Sequence, residues 1–544
     1  MGEVTLRRLV KLLDCTLRDG AYITNSYFGE AAITGIISKM QDANVDIIEC
    51  GWLKDDEYKK GTSYYHVPDD LSQYVRSKNS NSLYSVMIDW DRYNVANLPV
   101  CDNKTVDAIR VVFPHGKHKE AIIIGEAIRS KGYRVMFQAA NTLAYSDDDL
   151  KELADCMNKF MPDSVSIVDT FGAMYFDDLR RIVDILDATL DKNIELGFHA
   201  HNNQQLAFAL CISFVDIMSE SERGIIIDAT LNGMGRGAGN ATTELVAGYL
   251  ERKCYGNYDM NVIMDAIDTY MQGFHEKYMW GYSTPYFIAG MYQCHVNNIA
   301  YLTKNHRTNA HDMRNIIASL SEEERRHYDY DLLEQKYLEN QNRMVDDESA
   351  MKELSDGISG RKVLLVAPGK KSETCKNDIQ AFIDDNSPII IDVNAVSTYY
   401  PADYLFFINS VRYDYAKDAY TKRFEDTKKI LLSNIKSEGN DDELIINFNR
   451  VVKRGWDHFD NAVINCLRLL GKLGATDVYI AGFDEFGTHY NESYADESLP
   501  TINPDNDWDK LNREIADMYR DFYYSNKGQM NITFITESSF EIKE

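Results

Sequence analysis

A closed (β/α)8 barrel over residues 1–258, followed by a helical segment and a second α/β domain, is the fold class this sequence predicts. Three observations predict it. Eight short, nearly continuous apolar runs rich in β-branched residues recur within residues 1–258, as parallel strands buried on both faces require. Amphipathic stretches of helical period separate most of them, and a series of eight β-then-α units suits a closed parallel barrel. The chain has 544 residues, too many for a single core. An open doubly wound sheet is the competing architecture.

The strand-like runs are Leu9–Asp14, Val45–Cys50, Leu83–Ile88, Ala108–Phe113, Tyr133–Gln138, Ser164–Asp169, Ile194–His199 and Gly224–Thr230. Helical patterns cover Glu30–Ala43, Lys119–Ser130, Asp147–Phe160, Asp177–Leu190 and Gln204–Met218. The connection Trp90–Thr105 carries the weakest helical pattern. Over 259–340 the pattern is wholly helical, with Asn261–Lys277, Thr284–Leu302 and Ser321–Glu339 as helices. Acidic and polar residues at 341–361 predict a linker. Strand signals resume over 362–544, at 363–368, 388–393, 404–409, 429–434, 443–448 and 477–483, and Phe459–Leu473 reads as a helix.

Hydrophobic residues make up 44% and charged residues 26%, an ordinary globular balance. Lysine and arginine number 58 against 85 aspartates and glutamates, a net charge of −27. That excess of acid argues against nucleic acid or an anionic membrane as partner. Nine scattered cysteines, with no CxxC pair, fit reduced thiols in a cytoplasmic protein. The N-terminal residues lack a long apolar run, and no uninterrupted apolar stretch of about 18 residues occurs. A soluble, non-exported protein is expected.

Three segments carry chemistry, and each follows a predicted barrel strand, where active sites of such barrels are built. After the first strand comes Asp14-Cys15-Thr16-Leu17-Arg18-Asp19-Gly20, a fixed cation beside a carboxylate. A surface ion pair with a turn glycine is the plain alternative. At the end of the seventh strand stands His199-Ala200-His201-Asn202-Asn203. Residues i and i+2 of extended backbone point to one side, so both imidazoles can reach one divalent ion. Mixed nitrogen and oxygen ligands suit Mn, Mg, Zn or Co. After the eighth strand comes Gly233-Met234-Gly235-Arg236-Gly237-Ala238-Gly239-Asn240. Its glycines read either as a phosphate cradle or as a tight turn that brings Asn240 toward the metal.

Together these segments resemble the DRE-TIM metallolyase superfamily, the HMG-CoA-lyase-like or pyruvate carboxyltransferase family, over about residues 11–250. The resemblance implies a TIM barrel holding a divalent metal, manganese first, on Asp19, His199 and His201, with Asn240 as a further ligand. It implies that Arg18 stabilises an enolate. Within the superfamily the sequence is most similar to the 4-hydroxy-2-oxovalerate aldolases. Asp169-Thr170-Phe171-Gly172-Ala173-Met174 resembles their D-S-G-G-A-M, which would put Thr170 on the substrate carboxylate. Gly281-Tyr282-Ser283-Thr284-Pro285-Tyr286 resembles their G-Y-A-G-V-Y, which would put Tyr286 near the substrate. Where those aldolases carry a histidine base, this chain has Tyr22, whose phenol titrates near 10 and is a poor base. The implied reaction is cleavage or formation of a C–C bond in a 4-hydroxy-2-oxo acid, giving pyruvate and an aldehyde. Removal of Arg18 is expected to lower turnover about 10²–10³-fold with little effect on folding. A Claisen-type acyl-CoA synthase and a non-catalytic metal-binding scaffold are the alternatives.

The resemblance also implies that the helices after the barrel cover its mouth. The second α/β domain loosely resembles Rossmann-like domains of the 6-hydroxymethylpterin-pyrophosphokinase-like and sialyltransferase-like kind. That would imply a nucleotide or nucleotide-sugar partner, with Gly369 of Pro368-Gly369-Lys370-Lys371 facing a phosphate. Docking or assembly of a homo-oligomer is the alternative role.

Overall fold

The computed structural model describes residues 10–75, 78, 81–306, 308–437, 439–487, 491–500 and 507–542. The chain divides into two compact units, Met1–Ile299 with Arg325–His327, and Ala300–Glu324 with Tyr328–Glu544. Among the described residues no helix is long and apolar enough to cross a membrane.

The first unit is a closed parallel barrel. Its strands are β1 Val10–Asp14, β2 Ile47–Leu53, β3 Leu83–Asp89, β4 Ala108–Phe113, β5 Arg134–Ala139, β6 Ser164–Asp169, β7 Glu195–Ala200 and β8 Ile225–Ala229. They pair in sequence order, and β1 bonds both β2 and β8, which closes the sheet. All eight expected strands are present within a few residues; Leu9, at the expected start of the first, lies outside the described residues. Helices Glu30–Asp42, His118–Ser130, Asp147–Phe160, Phe176–Thr189 and Ala207–Ile217 stand where the helical period placed them. The connection after β3 holds only the short turn Val95–Asn97, capped by Asn94. Its asparagines, aspartates and proline favour turns over helix.

Period-two alternation sorts the strand residues. Leu12, Ile48, Ile109, Val135 and Ile227 join the large core beneath the helices. Leu13, Ile47, Ala108, Met136 and Ile226 form a separate buried cluster inside the barrel. Two positions further along β2, β4 and β8, on the same inward side, come Glu49, Arg110 and Asp228, all buried. The interior therefore changes from apolar to charged as the strands approach their C-terminal ends. Beyond β8 the chain continues as Met260–Ala266, a π-helical turn Ile267–Met271, and Gln272–Tyr278. Ile263, Ala266 and Met271 from this run belong to the barrel's own core.

The second unit contains helices Ala310–Ala318, Tyr330–Gln341 and Glu348–Ile358 and a seven-stranded sheet. The strands are β9 Lys362–Val366, β10 Ile389–Val393, β11 Tyr404–Phe407, β12 Lys428–Leu432, β13 Glu443–Ile446, β14 Asp477–Ala481 and β15 Asn531–Phe534. All pairings are parallel, in the order β13-β12-β11-β10-β9-β14-β15. Strand order reverses between β9 and β14, as in doubly wound α/β folds. Residues 341–361, expected as a linker, contain the helix Glu348–Ile358. Its Ala350, Leu354 and Ile358 are buried, a one-residue-wide stripe at i, i+4, i+8 hidden among acidic neighbours. The strand Asn531–Phe534 and the helix Trp508–Ser525 carry no expectation above; the strand is four residues of which two are exposed.

Candidate metal centre

The loop after β1 is organised by Asp14. Its carboxylate accepts from the Thr16 amide at 3.1 Å, Thr16 Oγ1 at 3.0 Å and Thr243 Oγ1 at 2.6 Å. Burial lifts Asp14 to about 6. These bonds fold Thr16–Asp19 into one helical turn with Arg18 and Asp19 both buried. From β7, His199 and the next extended residue but one, His201, present their rings with centroids 5.0 Å apart. Each Nε2 lies 3.6 Å from Asp19 Oδ2, too long for a hydrogen bond and suited to three groups facing one point. One ligand atom from each of the three lies within 4.8 Å of the others.

The far sides of both rings are held. His199 Nδ1 is 3.1 Å from Asp228 Oδ2, and His201 Nδ1 is 3.0 Å from the Asp169 carbonyl. Both partners accept, so each Nδ1 carries a proton and each Nε2 is turned toward Asp19; burial would lower His199, but Asp19 and Asp228 raise it above its ordinary value. Burial alone would lift Asp19, but Arg18 and the two imidazoles hold it well below the ordinary carboxylate range. Burial also pushes His201 down to about 4, so it is neutral at physiological pH.

Behind this triad runs a chain of buried charges. Arg18 donates through Nε to Glu49 Oε2 at 2.7 Å and lies 3.1 Å from Asp19 Oδ1. Arg110 lies 3.0 Å from the same Glu49 oxygen and donates to Asp228. Three carboxylates share two guanidiniums, so the fully ionised cluster keeps one negative charge that favours a cation. His199 Nε2, Asp19 Oδ1 and Asn240 Oδ1 are buried without a hydrogen-bond partner among the described residues. The unpartnered His199 Nε2, with His201 Nε2 and Asp19 Oδ2 3.6 Å apart beside it, gives two imidazoles and one hard oxygen, a donor set that fits a divalent ion.

Around the centre lies a cavity of about 760 Å³, counting its open mouth, at the C-terminal ends of the strands. Arg18, Asp19, Tyr22, Thr170, His199 and His201 line it. Thr170 Oγ1 accepts from the Asn141 amide at 2.7 Å. Tyr286, expected near the substrate, is not among the lining residues; it sits in the first turn of Thr284–Met291, where Ser283 caps its amide. Asn240 donates through Nδ2 to Asp19 Oδ2 and to the Met234 carbonyl, which makes it a holder of Asp19. Tyr22 lies under the Arg236 guanidinium, 3.3 Å from its ring centroid. Burial raises the Tyr22 phenol far above its usual value, with Arg236 and Arg18 opposing only in part, so it is no base.

The glycine loop is a tight turn. The amides of Ala238, Gly239 and Asn240 are already committed to Asn203 Oδ1, Arg236 O and Gly233 O. Gly239 has φ +85°, and a Cβ there would stand 2.0 Å from the Gly233 carbonyl oxygen. Gly239→Ala is expected to cost at least about 1–3 kcal/mol and to loosen Asn240 from Asp19. Thermal unfolding checks the first effect, and a matched metal titration the second.

Arg18 is tied more deeply than a mobile anion-binding side chain. Truncation to alanine leaves Glu49 and Asp19 buried with one cation fewer. The expected result is therefore a loss of stability of about 3–5 kcal/mol on top of the turnover loss. Urea unfolding decides it, and an unchanged midpoint would restore the expectation of an intact fold.

The sequence reading passed over Glu49, Arg110, Asp228, Asp89 and His295. The first three had a signal, since each is a charged residue inside a largely apolar strand run, alone in the runs of Arg110 and Asp228 and beside Asp46 in that of Glu49. Asp89 closes β3 and lines the cavity, and burial raises its carboxyl. His295 lines it from beyond the barrel sequence; burial, with Arg236 nearby, pushes it down to about 3. Its Nδ1 accepts from the Asn297 amide at 3.1 Å, so the neutral ring carries its proton on Nε2.

Residues 107–269 match the HMGL-like family model. A 4-hydroxy-2-oxovalerate aldolase of Thermomicrobium roseum (strain ATCC 27502 / DSM 5159 / P-2) is 26% identical over 275 residues, covering 47% of this chain and 71% of that one. The barrel is similar to members of the DRE-TIM superfamily. An oxaloacetate decarboxylase of Mycobacterium tuberculosis (strain ATCC 25618 / H37Rv) is 25% identical over 264 residues, 48% of this chain and 76% of that one. The solved hydroxymethylglutaryl-CoA lyase from Pseudomonas aeruginosa is 17% identical, covering 48% of this chain and 91% of that one, with a TM-score of 0.37. Among the described residues two groups stand close enough to hold a metal ion, Asp19 with His199 and His201, and Cys15 with His199 and Asp228.

Proposed function

We propose that the barrel is a divalent-metal-dependent aldolase that cleaves or forms the C3–C4 bond of a 4-hydroxy-2-oxo acid, with pyruvate and an aldehyde as the other side of the reaction. The observation that carries this reading is the triad of Asp19, His199 and His201 with Arg18 beside it. A divalent ion on that triad, manganese in the first instance, would polarise the 2-oxo group as a Lewis acid. Arg18, fixed by Glu49, offers a guanidinium to the negative charge that develops as the enolate forms. Thr170 lines the cavity where a substrate carboxylate would lie.

The reaction needs a base, and Tyr22 does not supply one. Asp89 fits that role. It lines the same cavity, and burial raises its carboxyl toward the range of a useful general base. It would take the proton of the C4 hydroxyl; the C3–C4 bond breaks, the aldehyde leaves, and the proton returns to C3 to give pyruvate. Asp89→Asn is expected to lower aldol cleavage by about 10²–10⁴-fold, the usual scale of general-base removal. Steady-state release of pyruvate and aldehyde measures it.

A second reading is favoured by Tyr22 and Arg236. Loss of carbon dioxide from a 3-carboxylated 2-oxo acid gives the same pyruvate enolate and has no hydroxyl proton to remove. The Arg236 guanidinium, held on the Tyr22 ring, faces the cavity as a receiver for a second carboxylate. The test is pyruvate release from 4-hydroxy-2-oxopentanoate and from oxaloacetate, with added manganese. Aldehyde-coupled pyruvate that Asp89→Asn abolishes supports the aldolase. Turnover of oxaloacetate alone, indifferent to Asp89→Asn, supports the decarboxylase. CoA release from an acyl-CoA with a 2-oxo acid would overturn both.

A further inference from the structure

The second unit carries a crevice of its own, unrelated to the metal triad. It is bounded by the residues that immediately follow β9, β10, β11 and β14, and so spans the point where strand order reverses. Ligands of open α/β sheets bind at such points, beyond the carboxyl ends of the strands. The turn Gly369–Lys371 is not the anion site that the sequence suggested. The Gly369 amide donates to the Gly482 carbonyl at 2.9 Å, Lys370 pairs with Glu497, and Lys371 Nζ donates to the Glu537 carbonyl.

The cation of the crevice is Arg412. It is 5% exposed, lines the space, and forms no ion pair with a carboxylate among the described residues. Its one hydrogen bond there is long, 3.5 Å to the Asn394 carbonyl, and its guanidinium lies 4.7 Å from the Tyr494 ring centroid. Asp496 feels its charge but takes hydrogen bonds from Tyr415 and Tyr420. A buried guanidinium without a counter-ion is costly, and the missing partner is an anion.

Two helix N-termini converge on the same space. Helix Ser410–Ala419 is capped by Asn409, and helix Ala462–Lys472 by Asn461, and both caps line the crevice. Their free amides and dipoles add to the preference for negative charge. Two carboxylates, Asp460 and Asp484, line it as well. Asp484 Oδ2 accepts from the Lys371 amide at 2.8 Å, while its Oδ1 is buried without a partner among the described residues. These carboxylates would repel a second anionic group and accept hydrogen bonds from a neutral one. Phe483, Phe486 and Ile515 supply apolar wall.

We propose that this crevice binds a small molecule with one anionic group, phosphate or carboxylate, seated on Arg412 between the two helix N-termini, and with hydroxyl or amine donors turned toward Asp484. The test uses the full chain. Thermal shift and calorimetric titration are run with inorganic phosphate, adenosine 5′-monophosphate and benzoate, with adenosine as the uncharged control. A saturable rise in melting temperature with an anion, absent with adenosine, is expected by linkage. Binding of the two phosphates without benzoate assigns a phosphate, and benzoate alone a carboxylate. Arg412→Met is expected to keep or raise the melting temperature without ligand, because it removes an uncompensated buried charge. It should weaken the anion by about 10–100-fold, the scale of hydrogen bonds to a charged group. Hydrogen exchange of the wild-type chain with the bound anion needs no variant to fold. New protection confined to residues 409–413 and 461–465 supports the site. Absence of binding by all three anions, undiminished binding by Arg412→Met, or protection elsewhere alone overturns the proposal.

Discussion

Arg110→Ala is expected to destabilise the barrel by about 3–5 kcal/mol, the cost of breaking a buried pair from one side. Arg110 is among the largest fully buried side chains and stands inside the barrel, where it serves two carboxylates at once. Its removal leaves three carboxylates facing Arg18 alone, and the cavity that replaces the side chain adds to the loss. Total domain stability is typically about 5–15 kcal/mol, so the loss is a large fraction of the whole. Urea unfolding measures the effect. The reason for the loss is electrostatic, which gives a second measurement. Pairing Arg110→Met with Glu49→Gln removes one of the two carboxylates that Arg110 serves, so the double variant should recover part of the single loss while Asp228 stays unpaired. Strict additivity of the two changes would mean that packing, not charge, holds this layer.

Asp228→Asn is expected to weaken metal binding about 10–100-fold while the fold persists. Asp228 is outside the Asp19, His199 and His201 triad but contacts one of its members. It accepts from His199 Nδ1 at 3.1 Å and so fixes which nitrogen faces Asp19. An asparagine can turn its amide to donate instead, which moves the ring proton to Nε2 and removes the lone pair aimed at the ion. A competitive chelator titration reads the affinity directly, and activity should return at saturating metal. Equal affinity in the two proteins would mean that the tautomer is set by something other than Asp228. A structural role alone would lower the melting temperature without a metal-dependent rescue.

The barrel was legible in the sequence because parallel strands buried on both faces leave continuous β-branched runs, and Ser164–Asp169 or Ala108–Phe113 could hardly be anything else. That His199 and His201 share one side was legible from their spacing of two on one strand, whereas Asp19 as their companion came only from the resemblance. Short-range spacing fixes on which side such residues stand. The boundaries of the second unit were less readable. The helix Glu348–Ile358 buries a stripe only one residue wide, too narrow to stand out from acidic neighbours. The edge strand Asn531–Phe534 is half exposed and carries little apolar signal.

Which distant residues meet was decided by tertiary structure. Glu49, Arg110 and Asp228 lie on β2, β4 and β8, and only closure of the barrel turns three isolated strand charges into one network with Arg18. Tyr286 resembled a substrate contact by motif, yet it is not among the residues that line the cavity, while His295 is. The sequence alone determined element type and the side on which each strand residue points, since both follow from local periodicity. The pairing of charges, the tautomers of the two imidazoles and the isolation of Arg412 from any carboxylate among the described residues depend on burial and on distances between residues far apart in the chain. No local pattern encodes those, because a charge reveals its partner only once water has been removed from around it.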